Sequence, residues 1–243
     1  MTENGRDWVV LSGATSGIGL AAAKLLVSQG YTVAGLGRRI DALMSLQREL
    51  GEGFVPMEVD LAERSSLEKC CAALAERCPR LRAVVSNAAE CVYASALDLP
   101  LERLQRLFMV NVVAPAALAS ALAPRLGPGG TFVQVSSVTA RLLPGAKYAP
   151  YAATKAAMET LVEGLRLELA PRGIRVCTVT PGLVDTPIYD KVEGFERARK
   201  KLADQIPQWL HPEEVASVLL WMIEQPAHIS VSDLVITPTL QPR

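Results

Sequence analysis

Residues Ser12–Gly19, with the sequence SGATSGIG, decide how this chain is expected to fold. The apolar run Trp8–Ser12 predicts a strand immediately before the loop, and Ile18–Gln29 predicts a helix that begins inside it. Glycines let the backbone turn tightly and approach an anion, which then binds the free N–H groups of the helix. The spacing is GxxxGxG rather than the commoner GxGxxG, and a purely structural turn is the alternative. The strand–loop–helix context favours a dinucleotide pyrophosphate.

The rest of the chain repeats this alternation of short apolar strands and longer helices. Further strands are expected at 31–36, 54–59, 81–86, 131–135, 174–178 and 234–236. Strands separated by helices pair in parallel, with helices on both faces of the sheet. We therefore predict a doubly wound, Rossmann-like, three-layer α/β/α fold with a mostly parallel seven-stranded sheet. One domain is expected over residues 1–243, with a substrate lid at about 187–210.

The composition excludes several classes of protein. The 243 residues include 25 Lys and Arg against 25 Asp and Glu, and 50% are hydrophobic. Intrinsic disorder and nucleic-acid binding are both disfavoured by these values. The five cysteines are an odd number without zinc-like spacing, which indicates reduced thiols and no metal site. The charged N-terminus is not that of a signal peptide, so a cytoplasmic location is expected.

One segment is close in length and apolar character to a membrane-spanning helix. Leu107–Pro124 contains 18 residues without a charge, close to the lower limit for crossing a bilayer. It also contains Asn111 and two prolines, and alanine dominates its second half. We expect a helix buried between the layers of the fold, and no membrane partner.

The end of the second strand indicates which dinucleotide binds. A carboxylate at this point would accept the ribose 2′-OH of NAD, but the sequence is Leu36-Gly37-Arg38-Arg39. Arginine binds a phosphate through bidentate, charge-assisted hydrogen bonds, so a 2′-phosphate suits Arg38 and Arg39. NADP(H) is therefore favoured. The alternative is a pair of solvated surface arginines, with NAD(H) as the cofactor.

Tyr151 and Lys155 stand one helical turn apart, so their side chains share a face. They follow the fifth strand and Ser137, at the sheet edge where ligands bind in doubly wound folds. An ammonium about 5 Å from the phenol is worth roughly 3 kcal/mol at an effective dielectric constant of about 20, or about two pKa units. Tyr151 could then exchange a proton with a substrate oxygen that Ser137 orients. Ser136 remains an alternative to Ser137.

Asn111 and Pro115 give a further indication in the long helix expected at 101–123. Proline has no N–H to donate to the carbonyl four residues earlier, which belongs to Asn111. That carbonyl is then free to bind water at a kink. The alternative is a kink that serves packing alone.

Together these residues resemble the classical short-chain dehydrogenase/reductase family over nearly the whole chain. The resemblance implies the strand order 3-2-1-4-5-6-7 and a homo-oligomer, either a tetramer or a dimer. It assigns a catalytic tetrad of Asn111, Ser137, Tyr151 and Lys155, in which the Asn carbonyl holds a relay water and Lys also binds the nicotinamide ribose. It also assigns cofactor contacts to Gly13, Thr15, Ser16, Gly17, Ile18, Gly19, Arg38, Arg39, Asp60, Leu61, Asn87, Ala88, Tyr151, Lys155, Pro181, Gly182 and Thr186.

The chain departs from the family pattern at a few positions. Ser86 and Ala89 replace the first Asn and the Gly of its Asn-Asn-Ala-Gly segment, and Cys177 replaces a structural Asn. The 14-residue spacing from Ser137 to Tyr151 is one longer than typical. The four catalytic groups are nevertheless present.

The resulting hypothesis is an NADP(H)-dependent carbonyl reductase or alcohol dehydrogenase that acts on a small molecule. The competing hypothesis is a catalytically weak dinucleotide-binding regulatory protein on the same fold. Substrate specificity is expected in residues 90–93, 141–147 and 187–210. An apolar wall is expected from Leu142, Leu143, Ile188, Tyr189, Phe195 and Trp209. Arg141 or Lys147 is either a partner for a substrate carboxylate or a solvated loop charge.

Overall fold

The central feature of the molecule is a seven-stranded sheet. The computed structural model describes residues 7–241, apart from the side chain of Lys191, so residues 1–6 and 242–243 of the predicted domain lie outside it. The strands are β1 Trp8–Ser12, β2 Thr32–Gly37, β3 Phe54–Glu58, β4 Leu81–Ser86, β5 Leu126–Val135, β6 Arg175–Pro181 and β7 Asp233–Ile236. Their order is β3-β2-β1-β4-β5-β6-β7, and every neighbouring pair is parallel. The predicted fold class and strand order are confirmed.

Helices cover both faces of the sheet. They are α1 Gly17–Ser28, α2 Ile40–Leu50, α3 Arg64–Arg77, α4 Leu101–Phe108, α5 Ala114–Leu122, α6 Ala149–Leu169, α7 Glu196–Gln205 and α8 Pro212–Glu224. Successive residues of a strand point to opposite faces, so Val10 packs in one core with α3, α5 and α6. Val9 and Leu11 pack in the other core with α1, α2 and α8. Burial on both faces explains the nearly continuous apolar strands.

The helix expected at 101–123 is interrupted, so the prediction of a single long helix is wrong in this respect. A π-helical turn over Met109–Val113 separates α4 from α5. The N–H of Ala114 donates to the carbonyl of Met109, five residues earlier. The turn lies immediately before Pro115, where the missing N–H would otherwise break the hydrogen-bond ladder. This local change in helical pitch positions Asn111.

By length and composition, the helical stretch Leu101–Arg125 could cross a membrane. However, 44% of its most apolar window is buried inside the fold. Leu118 and Leu122 belong to the core on the α5 face of the sheet. The core helix of a soluble protein passes the same test of length and composition.

Candidate active site

The loop between β1 and α1 requires glycine. Gly13 and Gly17 have φ angles of +74° and +51°, which side-chain-bearing residues rarely adopt. A Cβ on Gly19 would lie 2.1 Å from the carbonyl oxygen of Gly13. The loop is therefore folded back on itself, with its backbone at the surface where a ligand can approach.

The first turn of α1 is suited to bind an anion. Ser16 precedes the helix in an extended conformation, and its side chain does not cap the free N–H groups. The first turn also carries no acidic residue. Uncapped N–H groups and the positive end of the helix dipole attract a negatively charged group. This start of the helix fits a dinucleotide pyrophosphate.

The segment after β4 holds the glycine loop in place. The Oγ of Ser12 accepts hydrogen bonds from the N–H groups of Asn87, at 3.0 Å, and Ala88, at 2.9 Å. The Nδ2 of Asn87 donates to the carbonyl of Ser12 at 3.0 Å. A Cβ on Gly13 or Gly19 would also approach Nδ2, to 3.0 and 2.7 Å. The Asn87 side chain thus supports the loop.

Both arginines that follow β2 are only weakly engaged, and Arg39 lies close to the glycine loop. The guanidinium of Arg39 lies 3.4 Å from the carbonyl and the hydroxyl oxygens of Thr15. Arg38 lies 3.4 Å from Glu90 Oε1, and its side chain is 52% exposed. Long, exposed contacts of this kind contribute little stability, so a phosphate can replace them at low cost.

Arg106 connects two acidic groups beside this arginine pair, and sequence reasoning missed it. Its guanidinium donates to Glu90 Oε1 at 2.8 and 3.0 Å, and lies 3.6 Å from Asp60. The Asp60 carboxylate also accepts from the N–H of Ala62 at 2.9 Å. Arg38, Glu90, Arg106 and Asp60 therefore form a continuous charged network. An arginine on a helical surface gave no signal in the sequence, because its partners lie in distant loops.

Lys155 is buried at the carboxyl end of β5. Its Nζ donates to the carbonyl of Val135 at 2.9 Å and lies 5.8 Å from the centroid of the Tyr151 ring. Its side chain is almost fully enclosed, and burial lowers the pKa of Lys155 to about 8. The structure thus brings Tyr151 and Lys155 together on one face of α6, as their spacing predicts.

The expectation of a lowered phenol pKa is not met. Burial raises the pKa of Tyr151 well above its ordinary value, and nearby Cys91 and Tyr189 raise it further. Neighbouring Ser137 opposes this shift without reversing it. Loss of water around the phenol is therefore the largest cause of the raised pKa. The phenol is protonated near neutral pH.

The geometry favours Ser137 over Ser136 as the residue that meets a substrate. Ser137 is the serine close enough to Tyr151 to lower the pKa of its phenol. The hydroxyl of Thr139 also lies 2.9 Å from Ser137 Oγ. Ser136 is buried, and its hydroxyl donates at 2.6 Å to Glu159, which also binds Arg141. The Ser136 hydroxyl thus supports the ion pair between Glu159 and Arg141.

The Asn111 side chain is fully occupied. Its Oδ1 accepts from the N–H of Glu90 at 2.8 Å, and its Nδ2 donates to the carbonyl of Glu90 at 2.8 Å. Nδ2 also donates to Thr154 Oγ1 at 3.0 Å. The side chain therefore joins the segment after β4 to α6, and any role in proton transfer falls to the main-chain carbonyl.

Known proteins are similar to this chain over most of its length. A family model described as enoyl-(acyl carrier protein) reductase matches residues 13–234. A serine 3-dehydrogenase from Agrobacterium fabrum is 30% identical, and the match covers 96% of this chain and 94% of the relative. The chain belongs to the short-chain dehydrogenase/reductase family. A probable NADP-dependent dehydrogenase from Haemophilus influenzae is 29% identical over 96% of this chain and 93% of its own length.

Solved structures agree with this family of oxidoreductases. The closed form of serine dehydrogenase complexed with NADP+ has a TM-score of 0.86 and 26% identity, covering 97% of this chain and 96% of that one. A short-chain dehydrogenase from Burkholderia cenocepacia in complex with NADP has a TM-score of 0.85 and 28% identity, covering 95% and 96%. The recognition of the family from its motifs is confirmed.

The remaining family positions converge on the same sheet edge in this short-chain dehydrogenase/reductase. Thr186 lies beside the glycine loop, since a Cβ on Gly17 would be 3.0 Å from its Cγ2. Pro181 ends β6, and the N–H of Gly182 donates to Ile236 at 2.8 Å. Two other predicted contacts, Ile18 and Leu61, are half-buried and buried, on α1 and after β3 respectively.

Two groups near these positions were not identified from the sequence. Gln241 accepts a hydrogen bond at 2.8 Å from the N–H of Leu183, so the C-terminal segment fixes the end of β6. Cys91 is half-buried beside Tyr151 and Lys155, and burial raises the pKa of its thiol to about 12. Both depend on tertiary contacts that no local motif reveals. Among residues 7–241, no group of His, Cys, Asp or Glu could hold a metal ion.

The expected apolar wall is only partly formed as predicted. Leu142 and Leu143 are 46% and 53% exposed, because they lie on the solvent side of their loop. Tyr189, Phe195 and Trp209 do pack together. Arg141 is bound to Asp233 and Glu159, so it is not free to meet a substrate carboxylate.

Replacing Lys155 with methionine is expected to stabilise the cofactor-free protein at pH 7 by about 1–3 kcal/mol. Between pH 8 and 10.5 the unfolded chain holds the lysine proton and the native chain does not. Native stability therefore rises with pH through this window, by about 1.4 kcal/mol per unit at most. The advantage of Lys155→Met should consequently shrink from pH 8 to pH 10, as measured by urea unfolding.

Lys24, a half-exposed lysine on α1, provides the control for this experiment. Lys24→Met should show no comparable pH-dependent change relative to the wild type. If Lys155→Met differs from the wild type by the same free energy at pH 7 and pH 10, the buried charge does not carry the effect.

Proposed function

We propose that this chain is an NADP(H)-dependent oxidoreductase that transfers hydride between nicotinamide and a carbonyl compound or secondary alcohol. One observation carries the proposal: Tyr151, with Ser137 close enough to lower the pKa of its phenol, lies beside buried Lys155, at the same sheet edge as the uncapped start of α1. When bound, the dinucleotide supplies or accepts the hydride. The NADP-bound structural relatives support this choice of cofactor.

Each catalytic side chain has a role that its environment supports. The Ser137 hydroxyl holds the substrate oxygen against Tyr151, and the Tyr151 phenol donates its proton to that oxygen in the direction of reduction. The Lys155 ammonium stabilises the phenolate that remains after proton transfer. The main-chain carbonyl of Asn111 is assigned the role of binding a water molecule, and this water returns a proton to Tyr151.

The cofactor assignment depends on charge at two places. The α1 N-terminus takes the pyrophosphate, while Arg38 and Arg39 take the 2′-phosphate of NADP(H). Asp60, after β3, is assigned to the adenine, and Lys155 also reaches the nicotinamide ribose. With NAD(H) as the physiological cofactor, the two arginines would have no phosphate to bind.

A panel of ketones and aldehydes tests the proposal. Loss of the 340 nm absorbance of NADPH should follow addition of an active carbonyl compound, and NADH should give a lower kcat/KM. The competing hypothesis is a regulatory dinucleotide binder. Tight NADPH binding without turnover of any carbonyl or alcohol would favour that binder.

We also propose that the chain forms a homo-oligomer through α5 and α6. Leu161 on α6 and Val113 before α5 are 43% and 46% exposed, beside a groove lined by Ala116, Ser120 and Leu165. Small and apolar side chains of this kind allow two helix pairs to approach closely. Leu161→Glu should reduce the molar mass measured by light scattering, whereas Met44→Glu on α2 should not. A monomeric wild type would contradict the proposal.

A further inference from the structure

Five aromatic side chains from three distant parts of the chain meet beside the active site. They form the aromatic cluster, defined as Tyr93, Tyr148, Tyr189, Phe195 and Trp209. Tyr93 follows β4, Tyr148 precedes α6, and the other three belong to the lid segment. The sequence predicts an apolar wall that includes Tyr189, Phe195 and Trp209, and the structure adds Tyr93 and Tyr148 to it.

The rings of the aromatic cluster are in direct contact. The Tyr93 ring packs edge-on against Tyr148 at 5.0 Å and against Phe195 at 5.3 Å between centroids. Tyr189 stacks on Phe195 at 5.3 Å and meets Trp209 at 5.6 Å. These are preferred aromatic geometries. Phe195 is buried among the rings, while Tyr93, Tyr148, Tyr189 and Trp209 are partly exposed, so the cluster provides a preformed aromatic surface.

This surface is anchored next to the reacting groups. The N–H of Ala94 donates to the carbonyl of Lys147 at 3.0 Å, which ties the Tyr93 loop to the turn before α6. Tyr148 lies three residues before Tyr151, and Tyr189 is close enough to raise the pKa of the Tyr151 phenol. A substrate held by Ser137 and Tyr151 would therefore place its remaining groups against the cluster.

Two of the cations around the cluster, Arg199 and Arg141, are already paired with carboxylates. Arg199 binds Asp190 at 2.5 Å and lies 5.9 Å above the Trp209 ring. Arg141 binds Asp233 in a bidentate manner, at 2.7 and 2.8 Å. Lys147 is exposed and lies 5.3 Å from the Tyr93 ring centroid, at the rim. A carboxylate placed against the cluster away from this rim would lose its hydration and gain little in return.

We infer that the substrate is an uncharged ketone, or the corresponding secondary alcohol, bearing an aryl or branched-alkyl group that packs on the aromatic cluster. In reduction, the carbonyl carbon gains the hydride from NADPH and the carbonyl oxygen gains the Tyr151 proton, giving the alcohol and NADP+. This inference rests on the proposed function. It separates the chain from its relatives named for serine, whose substrate is a charged amino acid.

Matched ketones test the inference. The wild type is assayed with acetophenone, with 4-acetylbenzoate, which adds only a carboxylate, and with acetone, which lacks the ring. The kcat/KM for acetophenone should exceed that of each of the others by about tenfold to a hundredfold. Oxidation of serine with NADP+ should be slower than oxidation of 1-phenylethanol.

Two variants test the surface itself. Tyr93→Ser should lower the acetophenone-to-acetone ratio of kcat/KM about tenfold, while Tyr93→Phe should preserve it. An unchanged NADPH dissociation constant shows that both variants remain folded. Preference for 4-acetylbenzoate or serine, or an unchanged ratio in Tyr93→Ser, would overturn the inference and leave the proposed function standing. NADPH binding without turnover of any ketone or alcohol would instead overturn the proposed function.

Discussion

Tyr151→Phe is expected to bind NADPH with wild-type affinity and to lose about 10²–10⁴-fold in kcat/KM for carbonyl reduction. The substitution removes only the hydroxyl, so the ring remains beside Lys155 while the proton donor is lost. The loss should fall on kcat, because the phenol acts on the reacting oxygen. Initial rates from NADPH absorbance, together with a fluorescence titration of NADPH binding, separate catalysis from binding.

Tyr31 provides a matched control for this substitution. It lies immediately before β2, at the opposite end of the sheet from the catalytic groups, and also has a partly buried phenol. Tyr31→Phe should keep wild-type kcat and KM. If Tyr151→Phe retains activity within about threefold, the proton does not come from Tyr151 and the proposed mechanism is wrong.

Removing both arginines after β2 should weaken NADPH binding about a hundredfold and leave NADH binding within about threefold. Each guanidinium is expected to contribute about 1.5 kcal/mol to binding of the 2′-phosphate, at the lower end for charge-assisted hydrogen bonds because the arginines are exposed. Arg38→Ala and Arg39→Ala singly should each cost about tenfold. Dissociation constants of the two cofactors, measured for each variant at one ionic strength, provide the test.

Glu90 allows the same electrostatic account to be tested in the opposite direction. Its carboxylate lies near Arg38 and repels an incoming phosphate, while Glu90→Gln keeps an acceptor for Arg106. We expect Glu90→Gln to tighten NADPH binding about threefold to tenfold and to change NADH binding less. Arg64→Ala, at an exposed position on α3, is the control.

The arginine variants also have an outcome that would contradict the account. If Arg38→Ala weakened the binding of NADPH and of NADH equally, Arg38 would not bind the 2′-phosphate.

Local signals in the sequence were sufficient to predict the framework of the molecule. The glycine loop at 12–19 and the alternation of strands and helices indicate a doubly wound sheet, and the resemblance adds the strand order that the structure shows. The four-residue spacing of Tyr151 and Lys155 correctly placed both on one helix face. These features depend on backbone periodicity and on glycine conformation, which act over a few residues.

Features that depend on tertiary contacts could not be predicted in the same way. The π-helical turn at Met109–Val113 interrupts a helix that the sequence pattern predicts to be continuous. Arg106 joins Glu90 to Asp60 from three separate segments. The raised pKa of Tyr151 arises from burial, and no spacing rule indicates how deeply a phenol is buried.

Transfer of deuterium from the cofactor tests the central claim most directly. NADPH deuterated at C4 of the nicotinamide on one face, and then on the other, is incubated with the enzyme and an active ketone, and the alcohol is analysed by mass spectrometry. We predict that one of the two cofactors places one deuterium on the carbinol carbon, and that the other places none. An alcohol that lacks deuterium with both cofactors would show that the protein does not transfer hydride from NADPH to a carbonyl carbon.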